Sequence, residues 1–419
     1  MVKFLHFADV HLGMENYGKI DKKTGLHSRM SDFCRSFDAI VDYAIKNKVD
    51  FALFAGDAYK TRDPSPTYQR EFSKRIKKIA DAGIQVVLLV GNHDMPNASG
   101  RANTLDIYSA LDVKNVYVSR EPEILEFVKI NNHWIIKNGD LNYDSGIHFQ
   151  IATLPWILKT KLLPPEEYEK KEISESYSLM TKKMAEIIEN LSNNINKKFP
   201  CVFLGHATLA GAEFGAERKA YIGHDIVVPS NILQKGPWQY VALGHLHKYQ
   251  IILKNPPIIY SGSIERVDFG EEKEDKGFID CEINKSRSGF DVNYKFIALP
   301  VRKFLTIFCE LKENDLDITK KVIEQIRKND TKDSVVKIKL KIPESSLPNL
   351  QEREIQQALS DVYYFAGIQK EIIKSERKQK LENIESLTIL EILEKYWQSK
   401  NIGKKRIEEL KIYTQKLLE

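Results

Sequence analysis

Residue types that bind divalent metals stand at the ends of five apolar segments of this 419-residue sequence. Each segment has the composition of a buried strand and is followed at once by aspartate, asparagine or histidine. Loops at the carboxyl ends of strands in an open α/β sheet gather along one edge, so these side chains are expected to form one site. In chain order the candidate ligands are Asp9 and His11, Asp57, Asn92, His206, and His245 with His247.

The donor types indicate which metals would bind. Carboxylate, imidazole and amide oxygen suit manganese, iron or zinc, and the absence of thiolates argues against a structural zinc. The pairs Asp9/His11 and His245/His247 each skip one residue, which places both side chains on the same side of an extended segment. Two such pairs, a shared carboxylate and two single ligands are enough for two metals. Two ions about 3.5–4 Å apart lower the pKa of a water and neutralise phosphoryl oxygens, as phosphoester hydrolysis requires.

The elements that must position these residues alternate as in an α/β fold. Apolar strands are predicted at 2–8, 51–55, 84–90, 201–204, 240–243 and 258–260, with amphipathic helices at 31–47 and 68–82 and a heavily charged helix at 167–192. Shorter strands and loops are expected over 120–155. A small α+β module follows, with strands at 303–311, 335–342 and 362–368 and helices at 318–327 and 352–359. Residues 369–385 are polar and are predicted to be a linker or a solvated helix.

The last segment carries a helix start signal. Thr388 with Glu391 forms a capping box, and Leu387 with Ile392 fits a hydrophobic staple. An apolar stripe with Tyr396 and Trp397 follows, and a second helix is predicted from Lys404 after a break at Gly403. Such a stripe either packs on its own domain or docks in the groove of a partner.

Composition restricts the class of protein. A 42% hydrophobic and 29% charged content is ordinary for a globular chain of two or three domains, and the apolar runs are too short to cross a bilayer. No signal peptide fits the N-terminus, and four scattered cysteines (Cys34, Cys201, Cys281 and Cys309) indicate neither a zinc site nor a disulfide framework. A reducing cytoplasm is therefore expected. The net charge of +5 is weak evidence for a polyanionic partner.

The five segments together resemble the calcineurin-like metallophosphoesterase superfamily and, within it, the SbcD family of double-strand-break repair nucleases. The resemblance covers residues 1 to about 290 and rests on the stretches 7–13, 54–60, 90–94, 204–207, 242–247 and 260–266. It implies an α/β fold in which two β-sheets form a sandwich flanked by helices, with a small α+β capping domain and a C-terminal helical pair. The implied domains are 1–295 for the nuclease, 296–370 for the DNA cap, and 371–419 for a linker with helices that dock an ATPase.

The resemblance also implies roles for single residues. Asp9, His11 and His247 would hold one metal, Asn92, His206 and His245 the other, and Asp57 both. His93 would stabilise the transition state or protonate the leaving oxygen, and Asp94 would orient His93. Lys60 stands where some relatives carry histidine.

The implied activity is a DNA nuclease of repair and recombination. It would act as an exonuclease on double-stranded ends and as an endonuclease on single strands and hairpins, with manganese (or magnesium or iron). The implied partners are DNA and an SbcC-type ABC ATPase on the C-terminal helices, around a homodimer in a heterotetramer at the nucleoid. The chain itself has no Walker A loop.

Two other functions fit part of the pattern. A phosphoesterase for small nucleotides or phosphoproteins would share the metal centre, and a non-catalytic DNA-end tether would share the DNA contacts. Isolated residues also have plainer interpretations: His6 as a core histidine, His27 and His224 as surface or supporting groups, and Arg62, Arg101 and Arg266 as solvated arginines. Lys337, Lys339 and Lys341 fit a DNA-facing strand and an ordinary exposed strand equally well.

Overall fold

The computed structural model describes residues 1–22, 25–96, 100–137, 146–168, 171–215, 225–287, 289–374, 388–400 and 402–418. Its contacts divide the chain into two units: Met1–Leu305 with Asp333–Val335, and Thr306–Lys332 with Val336–Glu419. Within the described ranges, every helix is too short or too polar to cross a bilayer. The expectations for His224 and for the staple through Leu387 lie outside the described residues.

The first unit contains a six-stranded sheet built around the first three predicted strands. Its order is β15-β14-β1-β2-β3-β4, with β1 to β4 mutually parallel and β14 antiparallel to β1. Nearly all side chains of β1 to β3 are buried, as expected for parallel strands covered on both faces. The strands are β1 Val2–Phe7, β2 Phe51–Phe54, β3 Gln85–Leu89, β4 Val116–Ser119, β14 Gly277–Ser286 and β15 Gly289–Ala298.

A seven-stranded sheet packs against the first. Its order is β12-β13-β11-β8-β7-β5-β6, and β13, β11, β8 and β7 run parallel to one another. A two-stranded sheet of β9 and β10 lies in the same unit. The strands are β5 Glu123–Ile130, β6 His133–Ile136, β7 Ile147–Leu154, β8 Cys201–His206, β9 Thr208–Leu209, β10 Val227–Val228, β11 Tyr240–Gly244, β12 Gln250–Lys254 and β13 Pro257–Tyr260.

Three apolar layers hold the first unit together. The layer between the sheets includes Phe4, Phe51 and Phe149, and the ring of Phe149 contacts the other two. The outer layers lie under helices on either side. The predicted sandwich of two sheets flanked by helices is therefore confirmed. The helices are α1 Ser28–Lys46, α2 Pro66–Asp81, α3 Asp106–Ala110, α4 Lys159–Leu162, α5 Pro165–Tyr168, α6 Ile173–Asn194 and α7 Ser230–Gln234.

Several boundaries differ from the sequence prediction for local reasons. Helix α1 begins earlier because the His27 side chain caps it, accepting from the amide of Arg29. Helix α2 begins at Pro66, a residue suited to the first helical turn because it lacks an amide hydrogen. The single helix expected over 167–192 is two helices, α5 and α6. The expected domain boundary at residue 295 falls inside β15.

The second unit contains the predicted α+β module and the C-terminal helices. A three-stranded sheet has β17 Val335–Pro343 between β16 Phe304–Glu310 and β18 Tyr364–Ile373, with helices α8 Ile318–Arg327 and α9 Glu352–Ala358. Strand β18 extends into the residues expected to begin a linker. Helices α10 Ile389–Ser399 and α11 Lys404–Leu418 pair with each other, and the capping box of Thr388 and Glu391 is confirmed.

Candidate metal centre

The candidate ligands all lie where parallel strands end, but on two sheets rather than one. Asp9, Asp57 and Asn92 follow β1, β2 and β3 of the first sheet, whereas His206 ends β8 and His245 follows β11 of the second. The two sheet edges meet: the amide of His245 donates to Asp9 at 3.1 Å, and His206 Nε2 lies 3.6 Å from Asp57 Oδ2. The structure therefore brings the five segments into one buried centre.

Ligand atoms in this centre form overlapping groups. Among the described residues, three sets have ligand atoms within 4.8 Å of one another. They are Asp9, His11 and His247; His11, Asp57 and His93; and Asp57, His206 and His245.

Asp57 lies between the two outer sets. Its Oδ2 is 3.7 Å from His11 Nε2 and 3.6 Å from His206 Nε2, while its Oδ1 accepts the amide of His93 at 2.9 Å. Burial by itself would raise the pKa of Asp57, but the neighbouring imidazoles of His206, His93 and His11 lower the pKa below its ordinary value. One ionised oxygen is thus shared by both halves of the centre.

The second half of the centre gathers acceptors without a donor between them. His206 Nδ1 lies 2.6 Å from the carbonyl of Ala55, which can only accept, so Nδ1 carries the proton and Nε2 a lone pair. His245 Nε2 lies 2.7 Å from Asp225 Oδ2, which leaves Nδ1 with a lone pair. Both lone pairs converge on Asn92 Oδ1, at 2.9 and 3.0 Å. Two imidazole lone pairs and an amide oxygen that converge in this way form a donor set that divalent metals accept, so these residues fit a bound ion.

The first half brings two further imidazoles into contact. His247 Nδ1 lies 2.9 Å from Glu271 Oε1 and therefore carries the proton, so its Nε2 has a lone pair. That Nε2 lies 3.0 Å from His11 Nε2, and His11 Nδ1 is a buried nitrogen with no hydrogen-bond partner. Together with Asp9, these two imidazoles would hold a cation when His11 presents a lone pair to it.

Burial keeps these imidazoles in the form that binds metals. It lowers the pKa of His206 to about 4 and the pKa of His11 well below 6.5. Metal ligation requires neutral imidazole, so both rings are in the ligating form at neutral pH.

The backbone around the centre adopts unusual conformations. Asp9, His11, Asp57 and His245 all have positive φ, between 45° and 100°. Residues other than glycine rarely do so, and such conformations concentrate at functional sites. Gly91 is required by close approach, because a Cβ there would lie 2.2 Å from Asp57 Oδ1.

His93 lies beside the shared carboxylate, but Asp94 does not orient it. His93 Nδ1 donates to the carbonyl of Lys60 at 2.7 Å, and its ring packs edge-on against His11. Asp94 accepts the amides of Asp57, Ala58 and Gly91, each at 2.9 Å. The orienting role expected for Asp94 therefore belongs to a main-chain carbonyl. Asp94 fixes the loop that carries Asp57.

The family model for calcineurin-like phosphoesterases matches residues 2–249, more than half of the chain. The chain belongs to the calcineurin-like phosphoesterase family. The matched region includes all nine site residues expected from the sequence, and it ends just before β12.

Several relatives have names that refer to DNA repair or to nucleases, and another, from Bacillus subtilis, is named only as an uncharacterized metallophosphoesterase. The DNA double-strand break repair protein Mre11 of Archaeoglobus fulgidus is 25% identical over 94% of this chain and 81% of its own length. The SbcD component of the nuclease SbcCD is 25% identical in Bacillus subtilis and 26% in Escherichia coli, each over 64% of this chain. Those two matches span 63% and 62% of the relatives, so the chain aligns with less than two thirds of each bacterial protein.

Two carboxylates of this phosphoesterase centre lie outside the motifs that the sequence displays. Asp225 and Glu271 bind the outer nitrogens of His245 and His247, and they stand 20 and 24 residues away in sequence. Neither lies in a motif of the five segments. The tendency of ligating histidines to pair with a carboxylate predicts that such partners exist, but not which residues they are.

Other residues singled out in the sequence take structural roles. His6 is fully buried and contacts the Tyr240 hydroxyl and the Leu243 carbonyl, which confirms it as a core histidine. The interpretation of Arg266 as a solvated arginine is wrong, because its guanidinium donates to the carbonyls of Glu271, Arg302 and Glu274. Arg62 and Arg101 are exposed.

Proposed function

We propose that this chain is a two-metal DNA nuclease that cleaves phosphodiester bonds. The observation that carries the proposal is the convergence of metal-binding side chains on both sides of Asp57 Oδ2, which would hold two cations around one shared carboxylate. The family supports phosphoester hydrolysis, and the names of the relatives support DNA as the substrate.

The proposed ligands divide into two sets. Asp9, His11 and His247 hold one ion, and Asn92, His206 and His245 hold the other. Asp57 serves both. Two divalent cations in such a site supply a water of lowered pKa and neutralise charge on the phosphoryl oxygens. Nitrogen and oxygen donors without thiolate favour manganese, with magnesium and iron as alternatives.

His93 is proposed as the catalytic group that does not bind metal. Its Nδ1 is engaged by the carbonyl of Lys60, so the other ring nitrogen is the one left for the substrate. The half-buried ring stands next to His11 and Asp57, within reach of a phosphate bound at the centre. A protonated Nε2 at this place donates to the developing charge or to the leaving oxygen.

The second unit supplies the proposed contacts beyond the active site. The amide of Val335 donates to the carbonyl of Lys303, and that of Leu311 to the carbonyl of Lys341, which places β16 parallel to β17. In this register Phe308 stands beside Lys339, and Glu310 stands beside Lys341, to which it is ion-paired at 3.3 Å. Phe308 is 54% exposed, so the outward face offers lysines and an aromatic ring to a DNA strand.

Helices α10 and α11 are proposed to dock an SbcC-type ABC ATPase. Large apolar side chains on them are solvent-exposed: Ile389, Tyr396, Ile412, Tyr413 and Leu417. A helical pair with an open apolar face suits docking in a groove of another protein. Exonuclease action on double-stranded ends, endonuclease action on single strands and hairpins, and a homodimer within a heterotetramer belong to the same proposal.

Digestion of end-labelled linear duplex DNA with Mn²⁺, with and without the ATPase, tests the proposal. A nitrophenyl phosphodiester is assayed in parallel, and EDTA is expected to abolish both reactions. Strong cleavage of the small ester without any cleavage of DNA would contradict the nuclease proposal and favour a small-substrate phosphoesterase.

His93→Ala separates a nuclease from a DNA tether. We expect it to reduce cleavage by about 10²–10⁴-fold while DNA binding persists. If His93→Ala cleaves DNA at the same rate as the wild type and still holds DNA, the tether is favoured.

A further inference from the structure

The ring of His247 is fixed by a carboxylate that is itself completely buried. Glu271 ends a short 3-10 turn, Phe269–Glu271, and its side chain has no exposed surface. One oxygen, Oε1, accepts from His247 Nδ1 at 2.9 Å, and the other, Oε2, accepts the amide of Val267 at 2.9 Å. The carboxylate therefore selects the His247 tautomer in which Nε2 carries the lone pair and points toward His11.

A buried lysine binds both this carboxylate and the backbone of His247. The Lys276 side chain is fully buried, with Nζ 3.0 Å from Glu271 Oε2 and 3.0 Å from the His247 carbonyl. A third bond, of 2.8 Å, goes to Glu274. Burying an ammonium group is costly unless it is paired, and all three hydrogens of this one are used. Lys276, Glu271 and His247 thus form a closed ring of contacts that fixes both the main chain and the imidazole.

Residues 260–266, a motif that the proposed chemistry does not use, hold the same segment from the other side. The amide of Ser263 donates to the His247 carbonyl at 3.0 Å. A Cβ on Gly262 would lie 2.6 Å from that carbonyl oxygen, so glycine is needed there. The Arg266 guanidinium donates to the carbonyls of Glu271 and Glu274, which fastens the turn that carries Glu271.

His245 is supported differently. Its carboxylate partner, Asp225, accepts from the Thr208 hydroxyl at 2.8 Å, whereas Glu271 is paired with a buried lysine. The chain thus offers a matched comparison, with one ligating histidine backed by a carboxylate and lysine and the other by a carboxylate and hydroxyl.

We propose that Lys276 and Glu271 are positioning residues of the metal centre, which together set the affinity for the ion held by Asp9, His11 and His247. The inference rests on the proposed two-metal function. Removing Lys276 leaves Glu271 buried without its counter-charge and takes away one of the two donors to the His247 carbonyl, so the ring is held less firmly. Loss of a partner that orients a ligand typically weakens metal binding about 10–100-fold.

Titration of the full-length apo protein with Mn²⁺ in a calorimeter, with bound ions counted by electron paramagnetic resonance, tests the inference. In Lys276→Met we expect one of two ions to bind about 10–100-fold more weakly. Lys77→Met removes an exposed lysine that pairs with Asp81, and it is expected to leave both affinities unchanged. Asp225→Asn is expected to weaken the other ion.

A double-mutant cycle shows whether Lys276 acts through His247. His247→Ala is expected to weaken binding of the same ion as Lys276→Met. Adding Lys276→Met to His247→Ala should change the affinity for that weakened ion by less than about 2-fold. A general structural effect of Lys276 would instead weaken both ions equally and overturn the inference.

The outcomes separate this inference from the proposed function. Binding is measured below the thermal transition of each apo variant, and Glu271→Gln, of nearly equal shape, serves as the test if Lys276→Met does not fold. Wild-type affinity for both ions in these variants would overturn the positioning role alone. Failure of the wild type to bind two Mn²⁺ ions would overturn the proposed function itself.

Discussion

Two regions of the molecule depart from the usual separation of polar surface and apolar core, in opposite directions. Around the metal centre, imidazoles and carboxylates such as Asp9, Asp57 and His245 are almost completely buried. On α10 and α11, by contrast, Tyr396 is 55% exposed and Leu417 is 85% exposed. Buried polar groups indicate something held inside the fold, whereas grouped exposed apolar side chains indicate something bound outside it.

The difference between the two regions indicates that the metal centre carries out the reaction and that the C-terminal helices bind a partner. In the metal centre, His206, His245 and His247 each have one ring nitrogen bound by a carbonyl or a carboxylate, and the other ring nitrogen faces a neighbouring ligand. In the C-terminal helices, Ile407 is buried, whereas the apolar side chains of Tyr396 and Leu417 are exposed to solvent. Changes in the first region are therefore expected to affect metal binding and cleavage, and changes in the second to affect partner binding alone.

The largest expected effect comes from the shared carboxylate. Asp57→Asn removes the charge between His11 and His206, so we expect both metal sites to weaken and Mn²⁺-dependent DNA cleavage to fall by more than about 10³-fold. Cleavage rates at saturating Mn²⁺ measure this. Association with the ATPase should be unaffected, and a loss of both properties together would break the comparison between the two regions.

Deleting residues 386–419 tests the other region. We expect co-purification with the ATPase to be lost while basal Mn²⁺-dependent cleavage is kept, because the metal centre lies entirely in the first unit. Tyr396→Ala should weaken association by about 30-fold, as truncation of a buried aromatic anchor does. Co-purification that survives the deletion would refute docking on these helices.

A smaller effect is expected from the residue that holds the Asp57 loop. Asp94→Asn places an amide group where carboxylate oxygens accept three backbone amides, so at least one buried donor loses its partner. The free energy of unfolding should fall by about 1–3 kcal/mol. Urea denaturation of the apo protein measures it, and an unchanged midpoint would show that these amides need no acceptor.

The smallest effect concerns a buried histidine outside the ligand set. Burial lowers the pKa of His6 from 6.5 to about 3, so the unfolded chain binds a proton between these pH values and the folded chain does not. This contribution to stability is complete above pH 6.5 and is lost as the pH falls toward 3. Between pH 6.5 and 5, this proton is expected to lower the free energy of unfolding by about 2 kcal/mol.

Comparing the wild type with His6→Gln measures how much the protonation of His6 contributes to the pH dependence of stability. The pH dependence of unfolding should be shallower in the variant by about one proton over this range. Mn²⁺ affinity at pH 7 should be equal in the two proteins. A variant with an identical pH slope would show that His6 is not the group responsible.

Local sequence determined which residue types would meet in the site. An apolar run followed by a glycine and a polar residue specifies a buried strand and a tight loop, and parallel strands end on one edge. That Asp57 and His206 each stand at the end of a buried strand followed from this pattern, whereas their lying on two sheets whose edges meet did not. The capping box at Thr388 was equally predictable, because its two partners are three residues apart.

Only the tertiary structure decided how the ligands are held. The partners of His245 and His247 lie 20 and 24 residues away, and Lys276 reaches the His247 carbonyl from 29 residues away. Asp94 turned out to hold a loop rather than orient His93, since that depends on where three amides point. Periodicity records which face of a strand a residue occupies, whereas these contacts depend on the paths of whole loops between strands.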